Sequence, residues 1–127
     1  MTTVEDILAI KGPDVIVAAP TSTVLEVSKL MAEANVGSVI VREEGEVLGI
    51  FTERDLMRRV VATGKDPSVV LVAEVMSSPV ASCGLADDVA ICAKRLTGGH
   101  IRHLAVIEEG ALVGLIGLRD ILSWSGR

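Results

Sequence analysis

The sequence contains no tyrosine and only two aromatic residues, Phe51 and Trp124. A protein that stacks single-stranded bases needs aromatic platforms, and one that grips a phosphate backbone needs excess positive charge. With a net charge of -5 this chain offers neither, so nucleic acid is not an expected partner. It also lacks any apolar run approaching the roughly 18 residues of a membrane-spanning helix. The opening MTTVEDILAI is acidic and has no basic start, unlike a signal peptide, so a cytoplasmic protein without membrane contact is expected. Two cysteines, Cys83 and Cys92, are too few and too unpatterned for a disulfide framework or a zinc site. Both are expected as reduced thiols, with Cys92 a small core hydrophobe and Cys83 in a loop.

Half of the 127 residues are hydrophobic, enough for a sizeable core. The chain also reads twice. An offset of 65 residues places Val24 on Val89, Lys29 on Lys94 and Val41 on Val106 without a gap. The same register places Glu43-Glu44-Gly45 on Glu108-Glu109-Gly110, Gly49 on Gly114, and Arg54-Asp55 on Arg119-Asp120. So many coincidences in one register indicate a duplicated unit.

Within each unit the hydrophobic period changes. Val24, Val27, Met31 and Ala34 recur at helical spacing behind a capping box of Thr23 and Glu26. GSVIVR and VLGIF then read as two strands joined by a tight acidic turn at Gly45, and Thr52 opens a second helix running to about Ala62. RHLAVI, EEGA and LVGLIGL repeat the pattern, and an extended VIVA at 15 to 18 precedes the first helix. Each unit therefore reads as strand, helix, strand, strand, helix, an α/β (α+β) architecture. The expected boundaries are 1–64 for the first repeat, 65–70 for a connector carrying Pro67, and 71–127 for the second. The two repeats are expected to pack against each other with pseudo-twofold symmetry.

"GIFTERD", residues 49 to 55, carries the chemistry. Thr52 and Asp55 have capping-box spacing, which by itself describes a helix start. Gly49 within a strand marks close approach of another backbone or a ligand, and a helix start at a strand's carboxyl end is suited to anions. Arg54, Arg58, Arg59 and Lys65 concentrate positive charge here in an acidic protein. An aspartate suits a vicinal diol, each oxygen accepting one ribose hydroxyl, with phosphate farther out toward arginine.

Two tandem units with Gly-apolar-apolar-Thr/Ser-x-x-Asp after the third strand resemble a pair of CBS domains, the Bateman module, over nearly the whole chain. "GIFTERD" fits closely, while "GLIGLRD" keeps Gly114 and Asp120 but has Gly117 in place of the hydroxyl residue. The resemblance implies adenosine-containing ligands such as AMP, ADP, ATP, NAD or S-adenosylmethionine, held between the repeats. Carried over by position, one ligand would meet Thr52, Asp55, Arg54, Arg102, His103 and Leu104, with Pro79 to Ser82, including Val80, at the base. The other would meet Asp120, Gly37, Ser38 and Val39, with Ile16 to Pro20 as wall. Arg102 and His103 favour the first as the stronger phosphate site.

No catalytic motif is present: there is no nucleophile elbow or P-loop, the paired glutamates lie on hairpin turns, and Ser77-Ser78 has no evident base. His100 and His103 lack companions at metal-ligand spacing, so no metal site and no required cofactor are expected. The expected role is a non-enzymatic sensor of an adenine nucleotide. A structural or interaction module without nucleotide affinity is the alternative. The apolar LMRRVVA and ILSW helices, with Trp124, suggest a homodimer. Output is expected through another protein or through nucleotide buffering.

Overall fold

A computed structural model describes residues 1–99 and 101–125. It divides into two compact units, one comprising residues 16–80 and the other residues 1–15 together with 81–127.

The 16–80 unit contains β1 (Val17–Ala18), α2 (Val24–Ala34), β2 (Ser38–Glu43), β3 (Glu46–Thr52), α3 (Glu53–Asp55) and α4 (Val72–Val75). The other unit contains α1 (Val4–Lys11), β4 (Ser82–Cys83), α5 (Val89–Gly98), β5 (His103–Glu108), β6 (Ala111–Gly117) and α6 (Leu118–Ser125). Each sheet has three strands: β1 runs parallel to β2 and β4 to β5, whereas β2–β3 and β5–β6 are antiparallel hairpins.

The hairpins follow from their turns. Glu44 and Gly45 have φ of 51° and 81°, and Glu109 and Gly110 have φ of 51° and 79°. Two successive positive φ values match the right-handed twist of the flanking strands. In both hairpins the register shifts at the same place, between Val41 and Arg42 and between Val106 and Ile107. The duplication thus extends to a local irregularity of the sheet.

Each unit buries its own cluster. In residues 16–80, Val24, Val27 and Met31 of α2 meet Val39, Val41 and Phe51 of the sheet, joined by Val60, Val72 and Val75. In the other unit Val89, Cys92 and Leu96 of α5 meet Leu104, Val106 and Ile116, with Val4, Ile7 and Leu8 of α1. The capping box expected at Thr23 and Glu26 forms. A second, unforeseen box at Thr3 and Asp6 makes the opening residues a helix.

The compact units differ from the sequence repeats because α1 packs with the second repeat. Val4 N–H donates to Asp87 O, Glu5 N–H to Leu85 O and Val89 N–H to Thr2 O. The matching place in residues 16–80 is taken by α4, where Thr23 bridges to Leu71 as Asp88 does to Thr3. Cys83, expected in a loop, is instead buried in β4 opposite Val106. Burial pushes its thiol up to about 12, with Cys92 beside it adding to the effect. Among the described residues no helix is long and apolar enough to cross a membrane.

Candidate functional site

In residues 16–80 the motif sits where β3 turns into α3. Thr52 is the N-cap, and its hydroxyl accepts from Asp55 N–H at 3.2 Å. Asp55 Oδ2 in return accepts from Thr52 N–H at 3.0 Å and from the Thr52 hydroxyl at 3.2 Å. Its other oxygen, Oδ1, accepts from the Ser77 hydroxyl at 3.0 Å and lies 3.7 Å from Arg59 Nε. The residue is only 6% exposed. A carboxylate has about four acceptor positions, and here three are engaged by hydrogen bonds inside the unit.

Ser77, which in the sequence is only a loop serine without an evident base, is a partner of this carboxylate. It reaches Asp55 because residues 76 and 77 lie along β3: Ile50 N–H donates to Ser77 O at 2.9 Å and Ser77 N–H to Ile50 O at 2.8 Å. Gly49 is explained by the same contact. A Cβ there would stand 2.8 Å from the Ser77 carbonyl oxygen and closer still to Met76. The close approach expected at this glycine is therefore one made by its own unit. Beyond Asp55 the helix widens into a π-helical turn, Leu56–Val61, with Ala62 N–H donating to Met57 O. This turn directs Arg59 back to the carbonyls of Val75 and Met76.

The second motif differs. Asp120 Oδ2 accepts from Gly117 N–H at 2.8 Å, the same backbone clasp as at Thr52. There is no hydroxyl at 117, and the position has little room for one: a Cβ on Gly117 would lie 3.1 Å from Arg102 O and 3.3 Å from the His103 ring. Here the further side-chain partner is Lys11, whose Nζ donates to the same oxygen, Asp120 Oδ2, at 2.9 Å and also to the Leu115 carbonyl. Lys11 carried no local signal, since it lies 109 residues from Asp120.

The remaining expected residues fall as follows. Ser38 pairs with Thr52 across β2 and β3, and His103 with Gly117 across β5 and β6. Val39 and Leu104 are completely buried in their clusters. Ile16 is partly buried, its carbonyl accepting from Ile40 N–H, and the Pro20 carbonyl accepts from Ala73 N–H. Val80 is half-buried at the end of its unit, whereas Arg54 and Arg102 are exposed. His100, considered with His103 as a metal ligand, lies outside the described residues.

Tandem β-α-β-β-α units, each clasping an aspartate on the backbone N–H three residues before it, define a class. The CBS domain family profile matches residues 3–62 and again 72–127, and the chain belongs to that family as a tandem pair. An uncharacterized protein of Methanopyrus kandleri is 40% identical over 111 residues, covering 86% of this chain. The chain spans only 57% of that relative's length. The crystal structure of a CBS-domain containing protein from Agrobacterium tumefaciens superposes with a TM-score of 0.90 at 34% identity, covering 98% of this chain and 99% of the other. A CBS domain protein from Pyrobaculum aerophilum, described in complex with AMP, shares the fold with a TM-score of 0.82 at 24% identity, covering 99% of this chain and 100% of the other.

Proposed function

We propose that this chain is a regulatory, non-catalytic module that senses an adenosine-containing nucleotide, AMP, ADP or ATP being favoured, with Asp55 and Asp120 as the ribose-binding groups. One observation carries the reading. Both repeats place a carboxylate at the third position after a strand end and hold one of its oxygens on a backbone N–H, at Thr52 and at Gly117. Such a carboxylate is fixed in direction before any ligand arrives, which lowers the cost of binding a diol. The AMP complex of the Pyrobaculum aerophilum protein supports adenine nucleotide as the ligand class.

Arg54, Arg102 and His103 are the proposed phosphate contacts. Ser38, Ile16, Pro20 and Val80 are proposed lining positions, and Val39 and Leu104 would act through their backbone. No cofactor is required by this role. Exposed Met57, Val61 and Ile91 supply apolar surface in support of a homodimer, and the output passes to another protein.

The second reading is an interaction module without nucleotide affinity. It is favoured by Gly117 and by the internal hydrogen bonds that already engage Asp55. Thermal-shift titration with AMP, ADP, ATP, NAD and S-adenosylmethionine separates the two. At about 100 times its dissociation constant a ligand adds roughly 2.7 kcal/mol of stability. Sensing requires a rise that Asp55→Ala or Asp120→Ala removes in protein that is still folded. Absence of a rise with all five ligands in folded protein would overturn the sensing reading and favour the interaction reading.

A further inference from the structure

Outside the motif, three chemistry-bearing side chains converge in the unit formed by residues 1–15 and 81–127. Cys83 Sγ, Cys92 Sγ and an Asp87 carboxylate oxygen all lie within 4.8 Å of one another. Both thiols are buried and free, while Asp87 is exposed and opens the group to solvent.

The backbone explains why they meet. Asp88 is the N-cap of α5, so Asp87 precedes the cap and Cys92 is the fourth helical residue. These two positions normally hold a pair of apolar side chains packed together as a staple over the helix start. Here they hold a carboxylate and a thiol. Cys83, the last residue of β4, supplies the third group from the adjacent strand.

Asp87 is also oriented. Its Oδ2 accepts from Gly84 N–H at 2.8 Å, and its backbone carbonyl accepts from Val4 N–H at 3.0 Å. Arg95 approaches from the next turn of α5, donating to the Ser82 carbonyl at 2.8 Å. Its positive charge thus lies beside Cys83.

The other repeat is an internal control. At the same offset it has Ala18, Ser22 and Val27, on the matching strand, cap-preceding residue and helix. Ala18 pairs with Val41 just as Cys83 pairs with Val106. The fold builds this corner without any ligating side chain, so packing alone does not account for all three in the second repeat.

We propose that Cys83, Asp87 and Cys92 form a binding site for a thiophilic divalent cation of the zinc class. Two sulfurs and one oxygen supply three positions of a tetrahedron, and water takes the fourth. On binding, each thiol releases its proton to solvent and forms a metal–sulfur bond, leaving the site with a net charge of one minus beside Arg95. No oxidation is involved.

The test is titration of the reduced full chain with cadmium chloride, following the ultraviolet charge-transfer absorption of cadmium thiolate, and then competition by zinc chloride. Cys83→Ala, Asp87→Ser and Cys92→Val each install the residue found in the other repeat, which favours retention of the fold; circular dichroism checks this. One equivalent of cadmium is expected to produce the band in the natural chain and a large excess of zinc to diminish it. Cys83→Ala and Cys92→Val are expected to abolish the stoichiometric band, and Asp87→Ser to weaken binding about tenfold or more. Absence of the band in the natural chain, or its persistence at full strength in folded Cys92→Val, overturns the proposal.

Discussion

Lys11 and Asp120, 109 residues apart in the chain, form an ion pair at 2.9 Å. The corresponding carboxylate in the other repeat, Asp55, is met by the neutral hydroxyl of Ser77. Equivalent aspartates are thus held by different chemistry: Lys11 pairs with Asp120 Oδ2, whereas Asp55 Oδ1 takes the Ser77 hydroxyl with Arg59 Nε 3.7 Å away. The side chains of Lys11 and Asp120 are 32% and 25% exposed, so solvent screens the pair and its worth is small. Lys11→Met is expected to cost less than about 1 kcal/mol, with the difference shrinking in high salt. Urea unfolding at low and high ionic strength measures this, and a salt-independent loss of several kcal/mol would refute the surface-pair description.

Asp55→Ala removes the carboxylate half of the capping box, which accepts from Thr52 and Ser77 inside the unit. A loss of about 2 kcal/mol is expected, larger than for Asp120→Ala. Chemical denaturation gives the order of the two variants, and equal losses would show that the burial of Asp55 adds nothing.

Gly49 and Gly114 occupy matching positions, but their neighbours give way differently. A Cβ at 49 meets the Ser77 carbonyl at 2.8 Å, whereas a Cβ at 114 meets the terminal methyl groups of Leu8 at 2.7 and 2.9 Å. A backbone carbonyl in a strand bridge cannot rotate aside as a leucine tip can. Gly49→Ala is therefore expected to cost about 1–3 kcal/mol and Gly114→Ala less. The reverse order in thermal melts would contradict the close approach of Ser77 to β3.

Thr23 N–H, and after it the Thr23 hydroxyl, hydrogen-bond to Glu26 and hold its carboxyl below the ordinary value of 4.5. A group depressed in the folded state contributes stability that is fully present above its unfolded value and is lost as pH falls through its folded value. Glu26→Gln, which keeps the shape but does not titrate, is expected to lose stability less steeply below about pH 4.5 than the natural chain. Parallel acid unfolding curves would exclude this contribution.

Much of the architecture is legible in the chain because it is local. The turns at Gly45 and Gly110 need positive φ over two residues, and the Thr23 and Thr52 boxes join groups three residues apart. The duplication is visible because the same periodicities recur in one register. The opening helix is not among the elements expected from the sequence, although Thr3 and Asp6 carry the same box, because that box opens only eight helical residues and has no counterpart in the repeat register.

What the sequence by itself determined is the tandem repeat, the helix, hairpin and following helix of each repeat and the Thr52–Asp55 and Asp120 motifs, all encoded within a few neighbouring residues. Tertiary structure alone decided which groups meet those motifs: Ser77 on Asp55 from 22 residues away, and Lys11 on Asp120 from 109. It also decided that α1 joins the second repeat and that Cys83 lies beside Cys92. Burial of apolar side chains sets these meetings. Leu8 packs into the cluster of the second repeat, and Lys11, one turn farther along the same helix, is delivered to Asp120.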